Sequence, residues 1–155
     1  VVDESALDRS RREGKKTKDL VRALLEQCGF SDIVADRKLF TGATVDFSAR
    51  DSAGDEWFFD VPPSFSSVRT GLHRTDTVWK VLGKAALTDP ENPYVLLTTD
   101  RPGRSSAAER ALKEALTRGV LFDALELFGR TTADRLQRYA SEGRSSAPPR
   151  RIYDD

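Results

Sequence analysis

The feature that most constrains the fold of this chain is a pair of strand-like segments around a short turn. The segments TVDFSA (44–49) and EWFFDV (56–61) are rich in β-branched and aromatic residues, and the glycine-containing loop DSAGD separates them. This pattern predicts an antiparallel β-hairpin. Because an isolated hairpin is marginally stable in water, the rest of the chain must supply further strands or helices that cover it.

The remaining hydrophobic pattern predicts helices and strands in alternation. Apolar residues recur at helical spacing in four further segments, and short apolar runs bounded by Gly or Pro mark three more strands. The predicted helices are Asp19–Cys28, Thr75–Leu87, Ser106–Thr117 and Thr131–Ala140; the predicted strands lie within Phe30–Phe40, Tyr94–Thr99 and Val120–Phe128. This order predicts a mixed α/β domain with a central sheet flanked by helices.

The ends of the chain differ in composition from the middle. Residues 1–18 include the basic stretch RSRREGKKTK (9–18), and residues 144–149 read RSSAPP. We therefore predict a flexible basic arm over 1–18, an α/β domain over 19–129, and a C-terminal helix with a flexible tail over 130–155. The basic stretch is interpreted either as a solvated segment or as an arm that contacts nucleic acid.

Composition excludes several classes of protein. The 155 residues carry 25 Lys and Arg against 25 Asp and Glu, so any contact with a polyanion must depend on local clustering of charge. One cysteine, Cys28, excludes an internal disulfide, and neither a membrane-length apolar run nor a secretory signal is found. These features predict a cytoplasmic protein that makes no membrane contact. The chain begins with Val, which suggests a fragment of a longer protein.

Sequence motifs for common enzyme sites are missing. The sequence contains neither a P-loop nor a Gly-x-Gly-x-x-Gly segment opening a helix, and its only histidine, His73, argues against a Ser-His-Asp triad.

Two acids on the predicted hairpin remain as the best candidates for chemistry. Asp46 and Asp60 lie on adjacent strands with thirteen residues between them, so both can reach one end of the sheet. Two carboxylates together with a main-chain carbonyl form an oxygen-rich site that suits Mg²⁺, or Mn²⁺, better than zinc. The competing interpretation is that both acids lie near turns and accept hydrogen bonds from backbone amides.

Charge is distributed unevenly around this hairpin. Residues 46–60 contain five acids and one Arg, whereas residues 64–84 contain four basic residues and one acid. Within the second stretch Arg69, His73 and Arg74 precede a helix N-terminus, where they could bind phosphate together with free amides; a solvated loop is the alternative. An acidic metal site beside a basic segment is what a metal-dependent nuclease requires.

At this point the sequence resembles the PD-(D/E)XK nuclease superfamily, which includes restriction endonucleases, Mrr-like enzymes and Holliday-junction resolvases. The resemblance covers residues 19–128 and depends on the order of elements, on the two acids, and on the segment LVRALLEQCGF (20–30). It implies a restriction-endonuclease-like fold and a Mg²⁺ site formed by Asp46, Asp60 and the carbonyl of Val61. The family lysine that orients the attacking water is replaced by Pro62.

Two lysines on the following helix could replace the family lysine. Lys80 and Lys84 lie one turn apart, opposite the apolar stripe formed by Val78, Leu82 and Ala85, so both are predicted to face solvent or DNA. We predict Lys80 as the catalytic lysine, because it is nearer the start of the helix, and Lys84 as a DNA contact.

Three functional hypotheses follow. The first is a Mg²⁺-dependent DNA endonuclease domain, as part of a larger restriction or defence protein or as a homodimer. The second is a nuclease-like fold that binds DNA or a protein without cutting. The third is an interaction domain unrelated to nucleic acid, which the zero net charge favours.

Overall fold

A computed structural model describes residues 4–62 and 75–146 of the chain. These residues form helices α1 (Glu4–Gln27), α2 (Thr75–Ala86), α3 (Ala107–Thr117) and α4 (Thr132–Glu142), followed by a 3-10 turn at Gly143–Ser145. The strands are β1 (Ser31–Lys38), β2 (Thr44–Arg50), β3 (Glu56–Asp60), β4 (Tyr94–Thr98) and β5 (Asp123–Glu126). The predicted α/β class is therefore confirmed.

The five strands form one mixed sheet in the order β1-β2-β3-β4-β5. Strands β1, β2 and β3 pair antiparallel, and the predicted hairpin is confirmed with Phe47 opposite Phe59. Strands β3, β4 and β5 pair parallel, with α2 and α3 as the connections between them. Parallel neighbours require such crossover helices, which explains why helix and strand alternate in the second half of the chain.

Helices cover both faces of the sheet. On one face, Val21 and Leu25 of α1 and Leu136 of α4 join a core that contains Trp57 and Phe59. On the other face, buried side chains of α2 and α3 pack on the sheet; they include Val78, Val81, Ala85, Ala108 and Leu112. The sheet is thus the middle of three layers, as the sequence predicted.

The first helix is longer than predicted. Its expected start was Asp19, with a flexible arm before it, but α1 already begins at Glu4. Arg and Lys are good helix formers, and the packed half of the helix supplies the turn from which helix extends toward the N-terminus. Lys18 also ties this region to the sheet, through ion pairs to Asp36 and Asp46.

The last helix belongs to the core and does not begin a separate C-terminal segment. Leu136 and Tyr139 are fully buried against the sheet, so the predicted C-terminal helix packs into the core of the α/β domain. The tail prediction fails at its start, because Ser146 is buried and Arg144 donates a hydrogen bond to the Glu91 carbonyl. Residues 147–155 lie outside the described residues.

Among the described residues, no helix combines the length and the apolar character that crossing a membrane requires.

Candidate functional site

The two predicted acids meet at the end of the hairpin. The backbone N–H of Asp46 donates to Oδ1 of Asp60 over 3.3 Å, and the N–H of Val61 donates to Oδ2 of Asp46 over 2.7 Å. The two carboxyl groups are therefore close enough for the charge of one to act on the other. The register explains this contact, because Phe47 pairs with Phe59 and the preceding and following residues therefore come side by side.

The proximity of the two carboxyl groups changes the protonation of Asp46. Burial raises the pKa of Asp46, and the negative charge of Asp60 and the hydrogen bond between the two side chains raise it further. The Val61 N–H and the Lys18 ammonium act in the opposite direction without reversing the shift. A carboxyl pair of this kind favours an arrangement in which either a proton or a cation lies between the two groups.

Lys84 contacts the second acid directly. Its Nζ lies 2.5 Å from Oδ2 of Asp60 and donates to the Thr44 carbonyl over 3.2 Å. The Tyr94 hydroxyl donates to the same Asp60 oxygen over 2.8 Å, and burial together with the Asp60 charge raises the pKa of Tyr94. Lys84 therefore does not lie opposite the apolar face of α2, as was predicted, but reaches Asp60 at the cavity.

Helical geometry explains how Lys84 reaches the acid. Val81 is buried as well as Val78 and Ala85, so the apolar face of α2 is centred nearer Val81 than the sequence suggested. At about 100° per residue, Lys84 lies roughly 90° from that centre, a flank from which a long side chain can reach the sheet. Lys80 lies farther around the helix and is exposed, although it lines the same cavity.

Asp46 forms an ion pair with a different lysine, Lys18, which the sequence analysis did not predict as part of the site. Lys18 Nζ lies 3.3 Å from Oδ1 of Asp46 and 3.4 Å from Oδ1 of Asp36. Burial lowers the pKa of Lys18, but the two carboxylates outweigh it, and the net shift is upward. The residue lay in the segment predicted as a flexible arm, so no sequence signal connected it to the site.

A cavity of about 320 Å³ opens above the two acids. Gly14, Thr17 and Lys18 of α1 line one side of this cavity, and residues of α2, among them Thr77, Lys80 and Lys84, line the other. Asp46 and Asp60 belong to the same lining. The site therefore combines a carboxyl pair with three lysines from two helices that cover opposite faces of the sheet.

The donor set fits a hard divalent cation in type. Carboxylate oxygens are the ligands Mg²⁺ prefers, and Mg²⁺ retains several waters, so two acids can suffice. In the described parts of the chain, no group of three or more His, Cys, Asp or Glu side chains is arranged to hold a metal. Main-chain oxygen and water would have to complete the coordination. The role predicted for the Val61 carbonyl stays a prediction; the structure gives the contact of its N–H.

The predicted phosphate-binding residues Arg69, His73 and Arg74 lie outside the described residues.

Another buried carboxylate, Asp123 on β5, was not predicted to form a cluster. It is fully buried, accepts a hydrogen bond from the Tyr139 hydroxyl, and lies 3.5 Å from Nη1 of Arg135. Burial raises the pKa of Asp123 to about 6, although Tyr139, Arg135 and the Ala124 N–H oppose the shift. A lone Asp at the start of a short strand gives no sequence signal for such a cluster.

Comparison with known proteins returns no relatives. No protein-family model matches the sequence, and neither a curated protein nor a solved structure gives a significant match. The resemblance to PD-(D/E)XK nucleases therefore remains a hypothesis that depends on the order of elements and on the residues of the site.

Proposed function

We propose that this domain is a Mg²⁺-dependent phosphodiesterase that cleaves DNA. The observation that carries the proposal is that two carboxyl groups from neighbouring strands lie side by side, with Lys84 paired to one of them, at the floor of an open cavity. Two carboxyl groups that lie so close that the pKa of one of them is raised do not by themselves stabilise the fold. Perturbed acids in a cleft are a common property of functional sites.

Each residue of the site would have a distinct role in the reaction. Asp46 and Asp60 would hold the Mg²⁺, which neutralises charge that develops on the phosphodiester and lowers the pKa of a water. Lys84 is held by Asp60 and the Thr44 carbonyl, so its ammonium is oriented before a substrate arrives. We assign to Lys84 the role of the family lysine that Pro62 replaces. The Tyr94 hydroxyl fixes the Asp60 carboxylate.

The reaction is a hydrolysis. The oxygen of a water forms a bond to phosphorus, the bond from phosphorus to one sugar oxygen breaks, and a water proton passes to that leaving oxygen or to solvent. The ammonium of Lys84 would orient the water and offset the negative charge of the transition state. Such preorganised donors contribute about 10²-fold or more to rate.

A second candidate is a domain that binds without cutting, and one observation favours it. Each of the four carboxylate oxygens of the pair already has a partner from the chain: Lys18 and the Val61 N–H for Asp46, and the Asp46 N–H, Tyr94 and Lys84 for Asp60. The two lysines neutralise the pair without a metal. Mg²⁺ would have to compete with these partners for the same oxygens.

Plasmid nicking in Mg²⁺ separates the two candidates. We expect the native chain to nick DNA, Asp46→Asn to lose at least about 10²-fold in rate, and Asp134→Asn to match the native chain. Asp134 is a suitable control because it is an exposed carboxylate on α4, outside the cavity lining. Failure of the native chain to nick DNA in Mg²⁺ or Mn²⁺ would favour the second candidate.

A further inference from the structure

Helices α1 and α2 form the two walls of a cleft above the carboxyl pair. On α1, Gly14 and Lys18 are one turn apart on the face that packs Val21 and Leu25 into the core. The same helix face thus packs on the sheet in its C-terminal half and overhangs the acids in its N-terminal half. On α2, Lys80 and Lys84 occupy the facing wall.

The packing around position 14 does not require a glycine. Gly14 lies inside a long helix, where glycine is among the least favourable residues, and its φ is not among the positive values of the chain. A Cβ placed on it would meet no atom within 4 Å, even though the residue is half-buried. The free space is the cavity itself. Gly14 also lines a second cavity of about 550 Å³ on the β1 side of α1, so it separates two open regions.

Basic side chains outnumber acids along this cleft. The linings of the two cavities hold Lys15, Lys18, Arg22, Lys80 and Lys84 against Asp19, Asp36, Asp46 and Asp60, and Lys18 is already paired with Asp36 and Asp46. Lys15 is exposed and lines the second cavity, and Lys80 is exposed and lines the first. Lys18 lies between them and lines both. A polyanion that crosses α1 at Gly14 would meet these ammonium groups in sequence while one phosphate approaches Asp46 and Asp60. Contacts between ammonium groups and phosphates are the main source of affinity for nucleic acid.

We propose that the sugar–phosphate backbone of a DNA strand crosses α1 at Gly14, whose missing side chain provides the clearance, and that Lys15 and Lys80 contact its phosphates. The inference deepens the proposed function and rests on it for the identity of the ligand. It assigns to α1 a substrate-binding role, and it makes Gly14 a residue that positions the substrate by leaving space.

Glycine substitutions provide a test in which stability and binding change in opposite directions. Gly14→Ala and Gly14→Leu should raise the melting temperature, by about 2–4 °C for Ala, because both residues are better helix formers. Affinity for a fluorescein-labelled DNA, measured by anisotropy in Ca²⁺, should fall with side-chain size, by at least about tenfold for Leu, the equivalent of one lost charge-assisted phosphate contact.

Matched controls come from the same two helices. Gly83 is an exposed glycine inside α2 whose added Cβ would also meet no atom within 4 Å, so Gly83→Ala and Gly83→Leu should raise the melting temperature and leave affinity unchanged. Lys15→Ala should reduce the slope of log affinity against log salt by about one, whereas Lys16→Ala, on the neighbouring residue outside both cavity linings, should leave it unchanged.

The outcomes separate this inference from the proposed function. DNA binding by the native chain that Gly14→Leu leaves unchanged overturns the inference, while cleavage by the same chain would keep the proposed function. Binding that falls in both Gly14 variants without any Mg²⁺-dependent cleavage supports the cleft and overturns the nuclease. A native chain that shows no DNA affinity overturns the cleft.

Discussion

Two buried carboxylates in this domain have similar partners and opposite surroundings. Asp60 accepts a hydrogen bond from Tyr94 and pairs with Lys84; Asp123 accepts one from Tyr139 and pairs with Arg135. Asp123, however, is closed inside the core, whereas Asp60 lines a cavity and contacts a second carboxyl group. A tyrosine and a cation thus suffice to bury one acid. The second acid and the open space distinguish the Asp60 cluster, and they are the reason why we propose it as a ligand site.

We expect the largest effect on stability at the closed cluster, which consists of Asp123, Tyr139 and Arg135. Arg135→Met removes the cation beside a fully buried Asp123 and should cost about 3 kcal/mol or more of unfolding free energy near pH 8. Lys84→Met should cost less, because Lys84 is partly exposed and Asp60 keeps the hydrogen bonds from Tyr94 and the Asp46 N–H. Urea denaturation of both variants measures the difference. Equal costs would remove the distinction between the two clusters.

Lys84→Met, the substitution with the smaller effect on stability, should have a large effect on catalysis. Lys84→Met should reduce the rate of DNA cleavage by at least about 10²-fold, as expected for loss of a preorganised transition-state donor, with affinity nearly intact. Lys80→Met should instead weaken binding and flatten its salt dependence. A plasmid-nicking assay combined with anisotropy titrations in several salt concentrations separates the two roles. A larger rate loss for Lys80→Met would restore the original prediction that Lys80 is catalytic.

The closed cluster should also respond to pH. Burial raises the pKa of Asp123 to about 6, well above its ordinary value, so the folded chain holds a proton that the unfolded chain has released. Its contribution to stability is therefore present near pH 4 and is lost as pH rises through 6, a change of roughly 2–3 kcal/mol. The pH dependence of the free energy of unfolding should differ between the native chain and Asp123→Asn by this amount. Parallel profiles would contradict an elevated pKa.

The smallest effect is expected from removing one hydroxyl at each cluster. Tyr139→Phe should cost about 1–3 kcal/mol, because Asp123 has no route to water, and Tyr94→Phe about 1 kcal/mol, because Asp60 keeps Lys84 and borders the cavity. Thermal or urea unfolding of the two variants checks the order. The reverse order would mean that the Asp60 cluster is the more tightly closed of the two.

The sequence predicted the fold better than it predicted the site. The β-branched and aromatic residues on both sides of a glycine-containing loop located the hairpin, and Trp57 and Phe59 from this segment are fully buried. The start of α1 was missed because residues 9–18 contain no apolar residue, and without apolar residues there is no helical periodicity from which to predict a helix. Trp79 on α2 is 58% exposed, because the buried face of this helix runs through Val78, Val81 and Ala85.

The sequence predicted the two acids of the candidate site, but it did not predict the contacts of the lysines. Asp46 and Asp60 follow from strand pairing, which is a local property that the hairpin sequence encodes. The contacts of Lys18 and Lys84 depend on how α1 and α2 lie across the two faces of the sheet, and no local pattern reports that placement. Helical periodicity alone placed Lys84 on the side of α2 that faces solvent or DNA. Periodicity gives the direction of a residue around the helix axis, but it takes no account of the length of the side chain.

Calorimetric titration of the chain with Mn²⁺ decides whether Asp46 and Asp60 form a divalent-cation site. With a DNA oligonucleotide present, we expect saturable binding by the native chain and by Asp134→Asn, and its loss in Asp46→Asn and Asp60→Asn. Heats of Mn²⁺ binding that are the same in all four proteins, or absent in the native chain, would rule out a metal site at these two acids.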